Sequence, residues 1–208
     1  MRHWRYTIGL GTLVIAVVAL GGGVSAASLG LPDSAGQMKS STQAKIQNAM
    51  SAAPRSISEH ATILDYTMDS KGHFDVLRQG TNDWSCFPDL PSTPGDDPSC
   101  NDKNWMIWTY ALFSGSTEPV PLTGPGIAYM LRGGYDPSNT DPFALEPAPG
   151  ESWIVTGPHI MLIEPSKPGL PGGLDPNYFS TDPKAGQFIM WAGTPYAHLH
   201  IPTTDQKR

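Results

Sequence analysis

The sequence predicts an α+β domain dominated by β-structure: an antiparallel sandwich or small barrel-like sheet with two short helices. Three observations point there. Glycine and proline number 22 and 21, about a fifth of the 208 residues, which favours short strands joined by many turns over a helical bundle. Short apolar segments recur between clusters of Gly, Pro, Asn and Asp. The carboxyl-terminal part also repeats itself. Asn139-Thr-Asp-Pro142 leads to Gly150-Glu-Ser-Trp-Ile-Val-Thr-Gly157-Pro158, and Ser180-Thr-Asp-Pro183 leads to Gly186-Gln-Phe-Ile-Met-Trp-Ala-Gly193-Thr-Pro195. Each unit reads as a strand, a tight Gly-Pro turn and a strand. Residues 150–165 and 186–202 are therefore expected to form equivalent hairpins, with a fainter copy of the Gly-Pro entry at Gly124–Leu131.

From the amino end, Arg2 and Arg5, the apolar run Ile8–Leu20, the Gly21–Gly23 break and Val24-Ser25-Ala26 predict a secretory signal cleaved before Ala27. An uncleaved membrane anchor is the alternative. Residues 27–40 read as a flexible leader, and residues 41–208 as a single globular domain. A helix is expected over Ser41–Ala53, with Ile46, Ala49, Met50 and Ala53 on one stripe and Pro54 as its stop. Residues 59–66 and 73–79 read as strands joined by a turn at Asp69-Ser-Lys-Gly72. Asn101 or Asp102 can cap a helix running to about Ser114, with Gly115 as its stop. Its apolar residues go nearly all the way round, which predicts a mostly buried helix; an aromatic surface for carbohydrate or a protein partner is the functional alternative.

Cys86 and Cys100 are the only cysteines. In an exported chain they read as a disulfide closing a loop too rich in proline for any ladder. The spacing fits no zinc pattern. Net charge is −6, becoming −8 once Arg2 and Arg5 leave with the signal. Such a surface repels phosphate backbones, so nucleic acid is not an expected partner, and the membrane is met only through an uncleaved signal.

Chemistry-bearing residues are sparse. Tyr196, His198 and His200 alternate with Ala197, Leu199 and Ile201, which puts both histidines on one strand face, expected to meet solvent or a loop, and the aliphatic residues on the core face. His159 heads the partner hairpin. His159, Tyr196, His198 and His200 are the binding candidates, and a His-x-His strand can present two imidazoles to one metal. Aligning the two repeats offsets the three histidines by about two residues, or roughly 7 Å, so no metal or other cofactor is expected. Asp136, Asn139 and Asp141 miss the calcium-loop pattern and read as Asx turns. Asp89, Asp96, Asp97 and Asp102 read as a solvated surface. No Gly-x-Ser-x-Gly or phosphate loop is present.

The stretches Thr81-Asn-Asp-Trp-Ser-Cys-Phe-Pro-Asp89, Gly126-Ile-Ala-Tyr-Met-Leu-Arg-Gly-Gly134, Gly157-Pro-His-Ile-Met-Leu-Ile163 and Trp191-Ala-Gly-Thr-Pro-Tyr-Ala-His198 resemble a group of exported bacterial proteins for which no activity is known. That resemblance implies export, secreted or periplasmic, and a bacterial source. Ala185–His200 also resembles a metal-binding cupin strand pair, but no Glu follows the His pair and no cupin ligand carries over. The functional expectation is a non-catalytic cell-envelope protein binding a small molecule or an envelope protein. The alternative is a metal-dependent enzyme or metalloprotein using His159, His198 and His200.

Overall fold

The computed structural model describes residues 34–204, so the expected signal segment and the first part of the leader lie outside the described residues. In chain order the elements are α1 (Ser34–Met50), α2 (Arg55–Ser58), β1 (Thr62–Met68), β2 (Phe74–Arg78), β3 (Ser85–Phe87), β4 (Ser99–Asn101), α3 (Lys103–Phe113), β5 (Gly126–Met130), β6 (Gly134–Asp136), β7 (Ile154–Thr156), β8 (His159–Ile163), β9 (Phe188–Met190) and β10 (His198–Pro202). The domain is α+β and β-dominated, as expected, with a third, one-turn helix. Eight strands form one sheet in the order β2-β1-β3-β4-β5-β8-β10-β9. All its pairs are antiparallel except β1 with β3, and it stays open, with β2 and β9 as edges. Strands β6 and β7 pair separately.

Several elements follow from local chemistry. Helix α1 begins at Ser34, earlier than the expected start at Ser41, and Pro54 bars its continuation. The β1–β2 turn is built as expected. The Asp69 carboxylate accepts the N–H groups of Lys71 and His73, and Gly72 supplies the positive φ of 79°. Asp102 caps α3 by accepting the Trp105 N–H at 2.8 Å, and its other oxygen accepts from Ile127 N–H, tying the helix start to β5. Gly115 follows the helix with φ 69°.

Register decides which side chains share a face. Cys86 lies directly opposite Cys100, which lies opposite Tyr129, and Phe87, Asn101 and Ala128 follow on the other side of the pleat. On one face Ile63, Cys86, Cys100 and Tyr129 pack under α1 through Ile46, Ala49 and Met50. Toward β9 the same face carries Leu162, Leu199 and Ile189 under Leu174. On the opposite face Ala128, Met161, Ile163, Phe188 and Met190 meet Trp105 and Trp108 of α3. The sheet is thus covered on both sides, with α1 and α3 on different faces. Helix α3 is less buried than its composition suggests: Trp105, Trp108 and Thr109 are buried, while Ile107, Tyr110 and Phe113 reach the surface.

The disulfide Cys86–Cys100 is present and fully buried. The expected absence of a ladder is corrected at its ends, since the cysteines sit on paired strands whose Cα atoms are 4.0 Å apart; only the prolines between them are excluded. The bridge fits folding in an oxidising compartment. Among the described residues no helix is long and apolar enough to cross a membrane.

The repeat does not fold as equivalent hairpins. Strands β9 and β10 do pair with each other. Strand β7 instead pairs with β6, and β8 lies between β5 and β10. Gly133, at φ 103°, lies so close to the Thr156 carbonyl that a Cβ there would stand 2.7 Å from it, so the approach of β7 to β6 admits only glycine at that position. The two turns differ as well, because Gly193 takes φ 81° while Gly157 is not in the left-handed region.

Candidate functional site

The face of the sheet under α3 does not close completely. A cavity of about 440 Å3 lies between that face, α3, the loop inside the Cys86–Cys100 closure and the segment 135–153. That is the size range of small-molecule sites. The walls are largely aromatic: Trp105, Trp108, Phe143, Trp153 and Trp191, with Met130 and Met161 beneath. Trp108 and Trp191 lie parallel, 8° apart in plane with centroids at 5.9 Å. No lysine or arginine is among the lining residues.

Trp191 is held in an uncommon backbone state. Its φ of 55° makes it the one positive-φ non-glycine among the described residues, a conformation unfavourable for a bulky side chain. Its surroundings over-determine it. The Trp191 N–H donates to Asn139 O at 2.9 Å, the indole N–H donates to Ser138 O at 2.8 Å, and the Thr194 hydroxyl donates to Trp191 O at 2.8 Å. Strain sustained this way clusters at binding sites.

Polar groups in the wall are few and unusual. Asp97 is 5 % exposed, which corrects its expected place on a solvated surface. Burial, with the Asp89 carboxylate beside it, raises its carboxyl to about 6, although the Leu90 N–H bonds it. Asp136, half-buried at the end of β6, is raised to about 7 by burial and then by Asp97. Tyr66 is raised by burial and by Asp97, Asp89 and Asp65. Two atoms of lining residues lie buried behind the cavity surface with no protein partner: the acceptor Asn101 Oδ1 and the donor Trp108 Nε1. The other acids have structural duties. Asp96 accepts from Asn48 and Arg132, Asp102 is the α3 cap, and Asp141 closes an Asx turn on Phe143 N–H.

Of the four binding candidates, only His198 lines the cavity. Tyr196 belongs to the core, 1 % exposed, with its hydroxyl donating to Ser116 O at 2.6 Å. The histidine face, expected to meet solvent or a loop, is buried: His159, His198 and His200 are 1 %, 3 % and 2 % exposed. The expected offset between them is also corrected. The β8–β10 register puts His159 opposite Pro202, two residues beyond His200, so the diagonal brings the rings together. His159 and His200 stack with centroids 4.5 Å apart, and His198 Nε2 lies 2.9 Å from His200 Nε2.

The protons on these rings follow from the backbone. Carbonyls only accept, so His159 Nδ1–H donates to Gly157 O at 2.7 Å and His198 Nδ1–H to Tyr196 O at 3.0 Å. His198 Nε2 is then an acceptor and takes the His200 Nε2–H. Lone pairs at His159 Nε2 and His200 Nδ1 are left without partners, and both residues line a recess of about 20 Å3, the size of one water. Burial lowers His159 and His198 to about 4 and holds His200 well below its ordinary value. A metal ion needs several lone pairs aimed at one point. Here one of the three is used between rings and two rings are stacked. Among the described residues no group of three His, Cys, Asp or Glu is arranged to hold a metal ion.

Sequence reasoning missed Asp97, Asp136 and Asn101 as wall residues. The one available signal was the all-round apolar pattern of α3, which serves both the core and the cavity. Neither a family model, nor a curated protein, nor a solved structure matches the chain. What the site does therefore rests on its own residues.

Proposed function

We propose that this chain is an exported, non-catalytic binding protein that takes a small, largely apolar molecule into the cavity beneath α3. The observation that carries this reading is the cavity itself, about 440 Å3 and aromatic on most sides. The strained Trp191 supports the same reading, because it holds one wall in place. The Thr109 hydroxyl in the wall donates to Trp105 O.

The test uses a neutral fluorescent hydrophobe, N-phenyl-1-naphthylamine, with the wild type and an Ala144→Trp variant that fills the cavity from the 142–145 wall. Saturable one-site binding, lost in Ala144→Trp at unchanged melting temperature, is expected. Absence of binding in the wild type, or equal binding by both, overturns the reading. Export is supported by the amino-terminal pattern and by the disulfide, and intact mass of secreted protein should begin at Ala27. A second reading, a metalloprotein using His159, His198 and His200, is favoured by the clustering of the three rings. Stoichiometric metal surviving dialysis against a chelator would install it.

A further inference from the structure

We propose that the cavity selects an organic cation, an alkylammonium with an aromatic body, seated with its charged end between Asp97 and Asp136 and its ring against Trp108 and Trp191. The inference rests on the binding reading above and names the ligand chemistry for it. Two carboxyl groups line the cavity, with no lysine or arginine in the wall to neutralise them. An anionic ligand would meet two carboxyls in a poorly solvated space, whereas an ammonium would supply the missing counter-charge. The parallel indoles of Trp108 and Trp191 offer faces that attract a cation's apolar body and, at close range, the cation itself.

The groups facing the two carboxyls make the reading pH-dependent in one direction. Asp89 and Tyr66 stand near Asp97, Asp65 acts on Tyr66, and Tyr135 precedes Asp136 on β6. His198, on the far wall, is neutral above about pH 5 and adds no positive charge there. An arriving ammonium favours the ionised carboxylates, so binding releases protons to solvent and tightens as pH rises. With Asp136 near 7, binding to its ionised form alone strengthens by roughly a hundredfold from pH 5 to pH 8.

The experiment compares three probes of one shape by calorimetry at pH 5, 6, 7 and 8: tyramine as cation, 4-ethylphenol as neutral, and 3-(4-hydroxyphenyl)propanoate as anion. Runs in buffers of different ionisation enthalpy count the protons released. Tyramine is expected to bind best at pH 8, to weaken ten- to a hundredfold by pH 5, and to release protons on binding. Asp136→Asn and Asp97→Asn should each flatten that profile. N-phenyl-1-naphthylamine binding by the same variants shows that the cavity survives. Equal affinity for tyramine and 4-ethylphenol at pH 8, or a pH-independent tyramine affinity, overturns this inference while leaving the binding reading standing if the neutral dye still binds. Failure of the dye and all three probes sinks the binding reading itself.

Discussion

Replacing Asp136 by Asn should change stability in a way that depends on pH, and the structure sets both the sign and the scale. Burial and Asp97 raise the Asp136 carboxyl from 3.8 to about 7, so the folded chain holds this proton more tightly than the unfolded chain does. A raised folded pKa contributes stability that is fully present below 3.8 and lost as pH rises through 7. At pH 5 the contribution is about 2.7 kcal/mol, and at pH 8 it is close to zero. Asparagine is neutral throughout and close in shape to the protonated acid. The variant should therefore match the wild type only below about pH 4 and gain about 2.6 kcal/mol on it between pH 5 and pH 8, with most of that gain between pH 5 and 7. Urea unfolding of both proteins at pH 5, 6, 7 and 8 reads the difference directly. A difference that stays constant across this range would refute a buried, protonated Asp136, and so would one that changes only below pH 5.

The buried imidazoles should act in the opposite sense. His159 and His198 have folded values lowered to about 4, so their contribution is complete above 6.5 and is lost as pH falls toward 4, by up to about 3 kcal/mol each. His200→Phe keeps the stack on Phe188 but removes one such proton. The slope of its stability against pH below 6.5 should be shallower than that of the wild type, and an unchanged slope counts against a neutral buried His200. Reduction of Cys86–Cys100 should destabilise the domain by about 3 kcal/mol, measured as a lowered denaturant midpoint, and non-reducing peptide mapping should find the two residues linked. Protein purified without an affinity tag should carry no stoichiometric zinc by elemental analysis, since one ring lone pair is taken between His198 and His200.

What could be read without coordinates was local. Asp102 before an apolar run marks a helix start, Asp69 with Gly72 marks a turn, and two cysteines in a short proline-rich loop mark a bridge, because each signal acts within a few residues. The β-dominated class follows from the same short-range chemistry summed along the chain. The failures are all matters of pairing between distant segments. The likeness of 150–165 to 186–202 is real in sequence, yet β7 pairs with β6 while β8 joins β5 and β10. His159 approaches His200 only because the β8–β10 register places it opposite Pro202, and a slip of one residue would send its ring to the other face. Asp97 and Asp136 look like ordinary loop acids. Only the tertiary packing around the cavity lowers the hydration of both and raises their carboxyls. Residue type alone determined which groups can titrate, cap or bridge. The tertiary structure decided which of them lost their water, because desolvation depends on everything packed around a group and not on its neighbours in sequence.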